Sequence, residues 1–298
     1  MDAITTNFIT HHAMTATFCI SLIVTLGFLF SKTKLSYKLS LWATSLCIGL
    51  ISGHITTLAL PYLLLTLVMV YCYKTQANWL SKILSGFVLI ILAIAFSCHY
   101  VPGFYNYLVF RHILISSNAY PFTLYLNFDN GIIGILLLLF FCPLSSSFRA
   151  FFKLFAKGLR PLLLCISTIA ALSCATGFVQ FEPKFPSWFL LWLINNLFFT
   201  CVLEEAFFRG FLQSQFLPLL FKKLPAAHTI AWILASFLFG LKHLPNGGII
   251  YAALATFSGL GYGWVKRQTH SIEMAILTHF LLNTLHLLLF TYPGLVSP

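Results

Sequence analysis

Long apolar runs, separated by short polar or basic clusters, fill most of this 298-residue chain. A helix needs about 20 predominantly apolar residues to cross a bilayer core. By that measure the runs predict spans at 13–30, 39–55, 57–73, 82–99, 130–144, 161–179, 187–212, 226–244, 248–265 and 271–292. Only helices and closed barrels satisfy their backbone polar groups in lipid, and runs of this length are helical. The predicted fold class is therefore all-α: a polytopic transmembrane bundle of about ten spans. No basic stretch precedes the first run, so residues 14–30 are expected as a retained span rather than a cleaved signal peptide.

The connections between the runs carry the next signal. Residues 100–129, rich in Tyr, Asn and Pro, form the longest polar link and are expected outside the cell, partly as an interfacial helix. Residues 145–160 (SSSFRAFFKLFAKGLR) place basic residues at roughly helical spacing among phenylalanines, as in a helix lying on the membrane surface. That segment divides the chain into N-terminal accessory helices, 1–160, and a C-terminal part, 161–298.

Composition narrows the function classes. Of the residues, 59% are hydrophobic and 8% charged, against about a quarter charged in soluble domains. A soluble domain and a disordered chain are both excluded. The formal net charge is +11, but the basic residues are scattered rather than clustered, so nucleic acid is not the partner. With the N-terminus outside, one side of the membrane receives Lys32, Lys34, Lys38, Lys74, Lys82, Arg149, Lys153, Lys157, Arg160, Lys222, Lys223, Lys266 and Arg267, 13 of the 17 basic residues. Arg111 and Lys184 fall on the other side, and Arg209 and Lys242 within or near spans. The positive-inside rule makes the thirteen cytoplasmic. The eight cysteines contain no CxxC pair and read as small apolar packing residues. With no long soluble domain or eukaryotic sorting signal, the expected location is a bacterial inner membrane.

An ionisable residue at membrane depth costs roughly 2.5–3.5 kcal/mol to insert, so its default reading is functional. There are six carboxylates, and two, Glu204 and Glu205, are adjacent inside the apolar run LFFTCVLEEAFFRGFL. Glu205 and Arg209 are spaced i, i+4 with the acid first, the favourable order for a helical ion pair. Glu204 is expected to lack a local counter-charge, which makes it a candidate general base or acid. In the next run, Phe239 and His243 share a helix face that ends at Pro245-Asn246-Gly247. If the two runs form an antiparallel hairpin turning near residue 224, positions i and 448−i are level, and Glu204/Glu205 meet His243. In the last run, His279 and Asn283 are also i, i+4, and His286 extends their face; the neutral pair could donate hydrogen bonds without a full charge. Gly259 and Gly263 form a GxxxG of the kind that packs helices closely, and match no nucleotide-binding fingerprint.

Together these residues describe a hydrolase. Glu204 with His243 would activate water, and His279 with Asn283 would stabilise an oxyanion. No serine or cysteine lies within a turn of these histidines, which disfavours a Ser- or Cys-type protease. A divalent metal such as zinc on Glu204, His243 and His279 is the alternative, although no HExxH is present.

The ordered motifs Glu204-Glu205…Arg209, Phe239…His243 and His279…Asn283 resemble the type II CAAX prenyl endopeptidase family, also called CPBP or Abi. The resemblance covers about residues 185–292. It implies an intramembrane endopeptidase of the glutamate type, formerly classed with the metalloproteases. In it, Glu204 and His243 activate water, His279 and Asn283 form the oxyanion hole, and Glu205, Arg209 and Phe239 support them, with no cofactor. The implied partners are the bilayer and a membrane-associated peptide or lipidated protein, which the eukaryotic relatives cut on the cytosolic side. A non-catalytic member acting in bacteriocin immunity or binding, and a proton-coupled transporter, are the competing classes. No inverted repeat is visible, which counts against transport.

Overall fold

The structure, a computed structural model, describes residues 3–145 and 147–296. It is an all-α polytopic bundle with one small hairpin. The helices are α1 (Ala3–Leu29), α2 (Leu35–Ile51), α3 (Leu60–Thr75), α4 (Trp79–Ser97), α5 (Phe128–Phe141), α6 (Phe148–Ala175), α7 (Phe189–Leu220), α8 (Ala227–Thr269) and α9 (Ile272–Leu289). Among the described residues, seven helical stretches are long and apolar enough to cross a membrane; α2 and α5 are shorter. This is a multi-pass membrane protein.

Helix α5 explains its own shortness. Its sequence FDNGIIGILLLLFF is apolar all round, and nearly every residue in it is buried. Such a helix belongs inside a bundle rather than against lipid. It packs on α1, α2, α4 and α7. Gly134 lets the Leu203 backbone approach: a Cβ there would lie 3.2 Å from Leu203 Cα. One apolar core runs from Phe18 to Ile276. The expected junction at residue 160 falls inside α6, where the surface-type stretch continues through Pro161 into the following run.

Residues 107–126 hold no interfacial helix. Strand β1 (Tyr107–Ile113) pairs antiparallel with β2 (Phe122–Leu126), Tyr107 opposite Leu126 and Ile113 opposite Phe122. Alternating Tyr, Val, Phe and Thr suit a pleated, half-buried surface better than a helix.

Helix α8 is two antiparallel arms. The chain reverses at Gly247 and Gly248, and Gly248 has φ +68, a left-handed conformation that favours glycine. The arms touch along their length. Trp232 Nε1 donates to Leu260 O at 3.0 Å, and Arg267 Nη1 to His228 O at 3.0 Å. The GxxxG glycines lie on this seam: a Cβ on Gly259 would meet Ser236 Cα at 3.1 Å, and one on Gly263 would meet Trp232 Nε1 at 2.6 Å.

Candidate active site

Three elements carry the site: α7, the first arm of α8, and α9. Helix α7 widens into π-helical turns at Asn196–Cys201 and Ala206–Phe216, on either side of the glutamates. π-turns are uncommon and recur at functional sites. Here they bring i, i+5 partners together: Ser214 Oγ donates to Arg209 O at 2.7 Å, and Cys201 Sγ reaches Asn196 Oδ1 at 3.7 Å.

Glu205 and Arg209 make the i, i+4 pair, Nη1 to Oε1 at 2.9 Å, and neither side chain is exposed at all. The guanidinium lies 4.4 Å from the Phe239 ring centre and 5.1 Å from that of Tyr262. Such faces attract a cation that water no longer solvates. Gly259 makes room for it, since a Cβ there would sit 2.9 Å from Arg209 Nη2.

Glu204 is not left without a counter-charge. Lys242 Nζ lies 2.6 Å from its Oε1. The expectation considered only partners on the same helix, whereas Lys242 arrives across the hairpin with the first arm of α8. The other oxygen, Oε2, is buried and makes no hydrogen bond, and His279 Nε2 is 3.9 Å from it. That gap exceeds a hydrogen bond and is the separation at which a bridging water is to be considered.

The histidines are oriented by their second nitrogens. His243 Nδ1 lies 2.8 Å from Phe239 O. A carbonyl only accepts, so Nδ1 carries the hydrogen and Nε2 of the neutral ring keeps its lone pair. His279 Nδ1 donates to Glu205 Oε1 at 2.9 Å, and its ring stacks on Tyr262 with centroids 4.7 Å apart. His279 is therefore tied into the Glu205–Arg209 pair rather than set apart as half of a neutral donor pair. Its Nε2 can donate only when the ring is protonated. Asn283 Nδ2 donates to Asn196 Oδ1 at 3.0 Å. An amide nitrogen carries two hydrogens, and Nδ2 also lies 3.9 Å from Cys201 Sγ, a weak acceptor that a ligand oxygen would replace.

Glu204, His243, His279 and Asn283 line one polar cavity of about 300 Å³. His243, His279 and Asn283 also line a second, largely apolar cavity of about 190 Å³, whose walls include Ile166, Phe178, Leu254 and Phe290. Phe239 joins the two histidines: its carbonyl holds His243, and its ring lies 4.7 Å from the His243 ring and 5.7 Å from that of His279. Lys242, Asn196 and Tyr262 were not singled out from sequence. The first two were open to the cost argument applied to the glutamates, since Asn195-Asn196 interrupts an apolar run and Lys242 lies at the end of another.

Of the alternative metal set, Glu204 has one oxygen on Lys242, and His243 and His279 are bonded through Nδ1 to Phe239 O and Glu205, which leaves each Nε2 as the nitrogen open to a ligand. Among the described residues no three His, Cys, Asp or Glu side chains converge as a ligand set.

Residues 186–285 match the model of the family described as type II CAAX prenyl endopeptidase Rce1-like. This segment is similar to the Rce1-like family. It is a family of proteases, and its matched region spans α7, α8 and most of α9, including every candidate residue above. No curated protein matches the chain, and no solved structure does. The Rce1-like segment is about a third of the protein; α1 to α6 lie outside it.

Proposed function

We propose that the protein is a glutamate-type intramembrane endopeptidase that cuts a membrane-associated peptide. The carrying observation is the convergence of Glu204, His243, His279 and Asn283 on one polar cavity, with one oxygen of Glu204 unpartnered. Water bound at that oxygen gives up a proton to Glu204 or to His243 Nε2, and its oxygen attacks the peptide carbonyl carbon. Protonated His279, held by Glu205, and the second amide hydrogen of Asn283, turned from the weak acceptor Cys201 Sγ, donate to the oxyanion that forms. The C–N bond then breaks as the abstracted proton passes to the leaving amine nitrogen. Lys242, 2.6 Å from Oε1, holds the Glu204 carboxylate in place.

No step in this route uses a metal. Glu204→Gln keeps the shape of the site and removes the proton acceptor, a loss of about 10²–10⁴-fold in kcat for a general base. The assay is cleavage of a membrane-anchored peptide by the purified protein in bilayers, with and without chelator. Loss of cleavage in the variant together with chelator resistance is expected. A fully active variant overturns the role of Glu204, and loss on chelation overturns the metal-free route.

A further inference from the structure

The geometry points to a cavity that opens on the non-cytoplasmic face of the membrane, so that the protein receives a peptide segment presented outside the cytoplasm. Only the description of that peptide as a substrate depends on the peptidase reading; the direction of the opening does not.

The links between helices alternate between two ends of the bundle. At one end lie residues 30–34, 76–78, the start of α6, 221–226 and 270–271, and these links and the helix ends beside them carry the thirteen clustered Lys and Arg residues. Contacts between distant segments hold that end together. Lys222 lies over the Trp79 ring at 5.2 Å, Lys74 over the Phe141 ring at 5.0 Å, and Ser145 N donates to Glu273 Oε1.

At the other end lie residues 52–59, 98–127, 176–188, the Gly247–Gly248 turn and 290–296. They meet one another too. Thr56 N donates to Gly103 O at 2.8 Å, Tyr120 N to Gly294 O at 3.1 Å, and Glu182 N to Leu289 O at 2.8 Å. The Phe178 and Tyr251 rings stack with centroids 5.1 Å apart. This end holds three of the basic residues: Arg111, Lys184 and, five residues before the Gly247–Gly248 turn, Lys242, which is paired with Glu204. Burial pulls the pKa of Lys184 below that of a free lysine, against the opposing pull of Glu182. Lysines and arginines concentrate on the cytoplasmic side of membrane proteins, so the basic-poor end faces away from the cytoplasm.

The cavity that holds Glu204, His243, His279 and Asn283 is walled on its other side by His99, the β2 residues Phe122–Tyr125, Asn127, Tyr292 and Pro293. All belong to the basic-poor end. The basic end has its own hollow, about 550 Å³, lined by Gln213, His228, Lys266 and Arg267 among others and by none of the four site residues. Between that hollow and the site runs a chain of bonded side chains. Lys266 Nζ donates to Arg209 O and to Ser214 Oγ, Arg209 is bonded to Glu205, and Glu205 to His279. Glu205 and Arg209 expose no surface. The cytosolic attack implied by the family resemblance would need a path through this buried pair. The route from the opposite face passes under a hairpin contributed by the N-terminal part.

Single substitutions in the full-length protein test the direction. Phe185→Cys lies in an exposed position at the basic-poor end, and Lys223→Cys in an exposed position at the basic end. Intact cells expressing each variant are treated with a charged, membrane-impermeant maleimide, then again after permeabilisation, with the parent as background. Phe185→Cys is expected to label above background before permeabilisation, and Lys223→Cys only after it. The reverse pattern, or labelling of both in intact cells, overturns the assignment. Labelling of both in permeabilised cells shows that each variant is present and accessible. Adding a membrane-anchored peptide to right-side-out vesicles tests the substrate separately. The expected labelling pattern without cleavage would leave the direction standing and refute the peptidase reading, while cleavage from inverted vesicles alone would refute the direction.

Discussion

Replacing Arg209 with Met removes the cation from a pair in which neither side chain reaches solvent. At 2.9 Å and an effective dielectric constant of about 20, the attraction is about 332/(20 × 2.9), or roughly 6 kcal/mol. Part of that is offset in the native protein by the cost of desolvating both ions. Breaking one half of a buried pair typically costs about 3–5 kcal/mol, because the remaining charge is left buried and uncompensated. The loss of the Phe239 and Tyr262 faces adds to it. At about 2–4 °C per kcal/mol for a chain of this size, the apparent Tm of Arg209→Met in detergent should fall by on the order of 10 °C. The double variant Glu205→Gln/Arg209→Met removes both charges and keeps an oxygen acceptor for His279 Nδ1. It should recover most of that stability yet remain slow in peptide cleavage, since His279 has lost its anionic partner. A single Arg209→Met variant within about 1 kcal/mol of the parent, or a double variant no more stable than the single one, would refute the reasoning.

Three further outcomes follow from the same geometry. A Cβ on Gly240 would overlap Thr256 Oγ1 and lie 2.6 Å from Ala252 O; Gly240→Ala should destabilise the protein by about 1–3 kcal/mol, read as a lower Tm, because a backbone atom must move. Lys242→Met should lower kcat by about 10–10²-fold while Lys242→Arg keeps most activity, since the charge beside Glu204 is what matters; a fully active Met variant would show that the 2.6 Å contact is incidental. Asn196→Ala frees Asn283 from its 3.0 Å anchor and should lower kcat by about tenfold with little change in KM, as expected for a donor used in the transition state; a change in KM alone would place Asn283 in ground-state binding.

Much of the candidate site was legible because insertion cost is a property of single residues. Glu204, Glu205, Arg209, His243, His279 and Asn283 each stood out against an apolar run, and the Glu205–Arg209 pair followed from helical spacing alone. The level of Glu204 with the end of the next run also followed from counting back from the Lys222-Lys223 turn, because α7 continues to Leu220. The site contacts that were not legible share one cause: each partner lies on another element. Lys242 reaches Glu204 across the hairpin, Asn196 holds Asn283 from α7 to α9, and Glu205 takes His279 Nδ1.

Sequence by itself determined the membrane class, the apolar runs and the chemically costly residues, because burial in lipid acts on each segment separately. It also determined the charge asymmetry, which depends only on where lysines and arginines fall between runs. Tertiary structure decided which nitrogen of each histidine is free and which carboxylate oxygen is unpaired. It also decided that 107–126 is a hairpin over the site, and which end of the bundle the cavity meets. Those outcomes depend on how each helix is rotated about its axis, and two π-helical stretches in α7 alter that rotation in a way no regular period predicts.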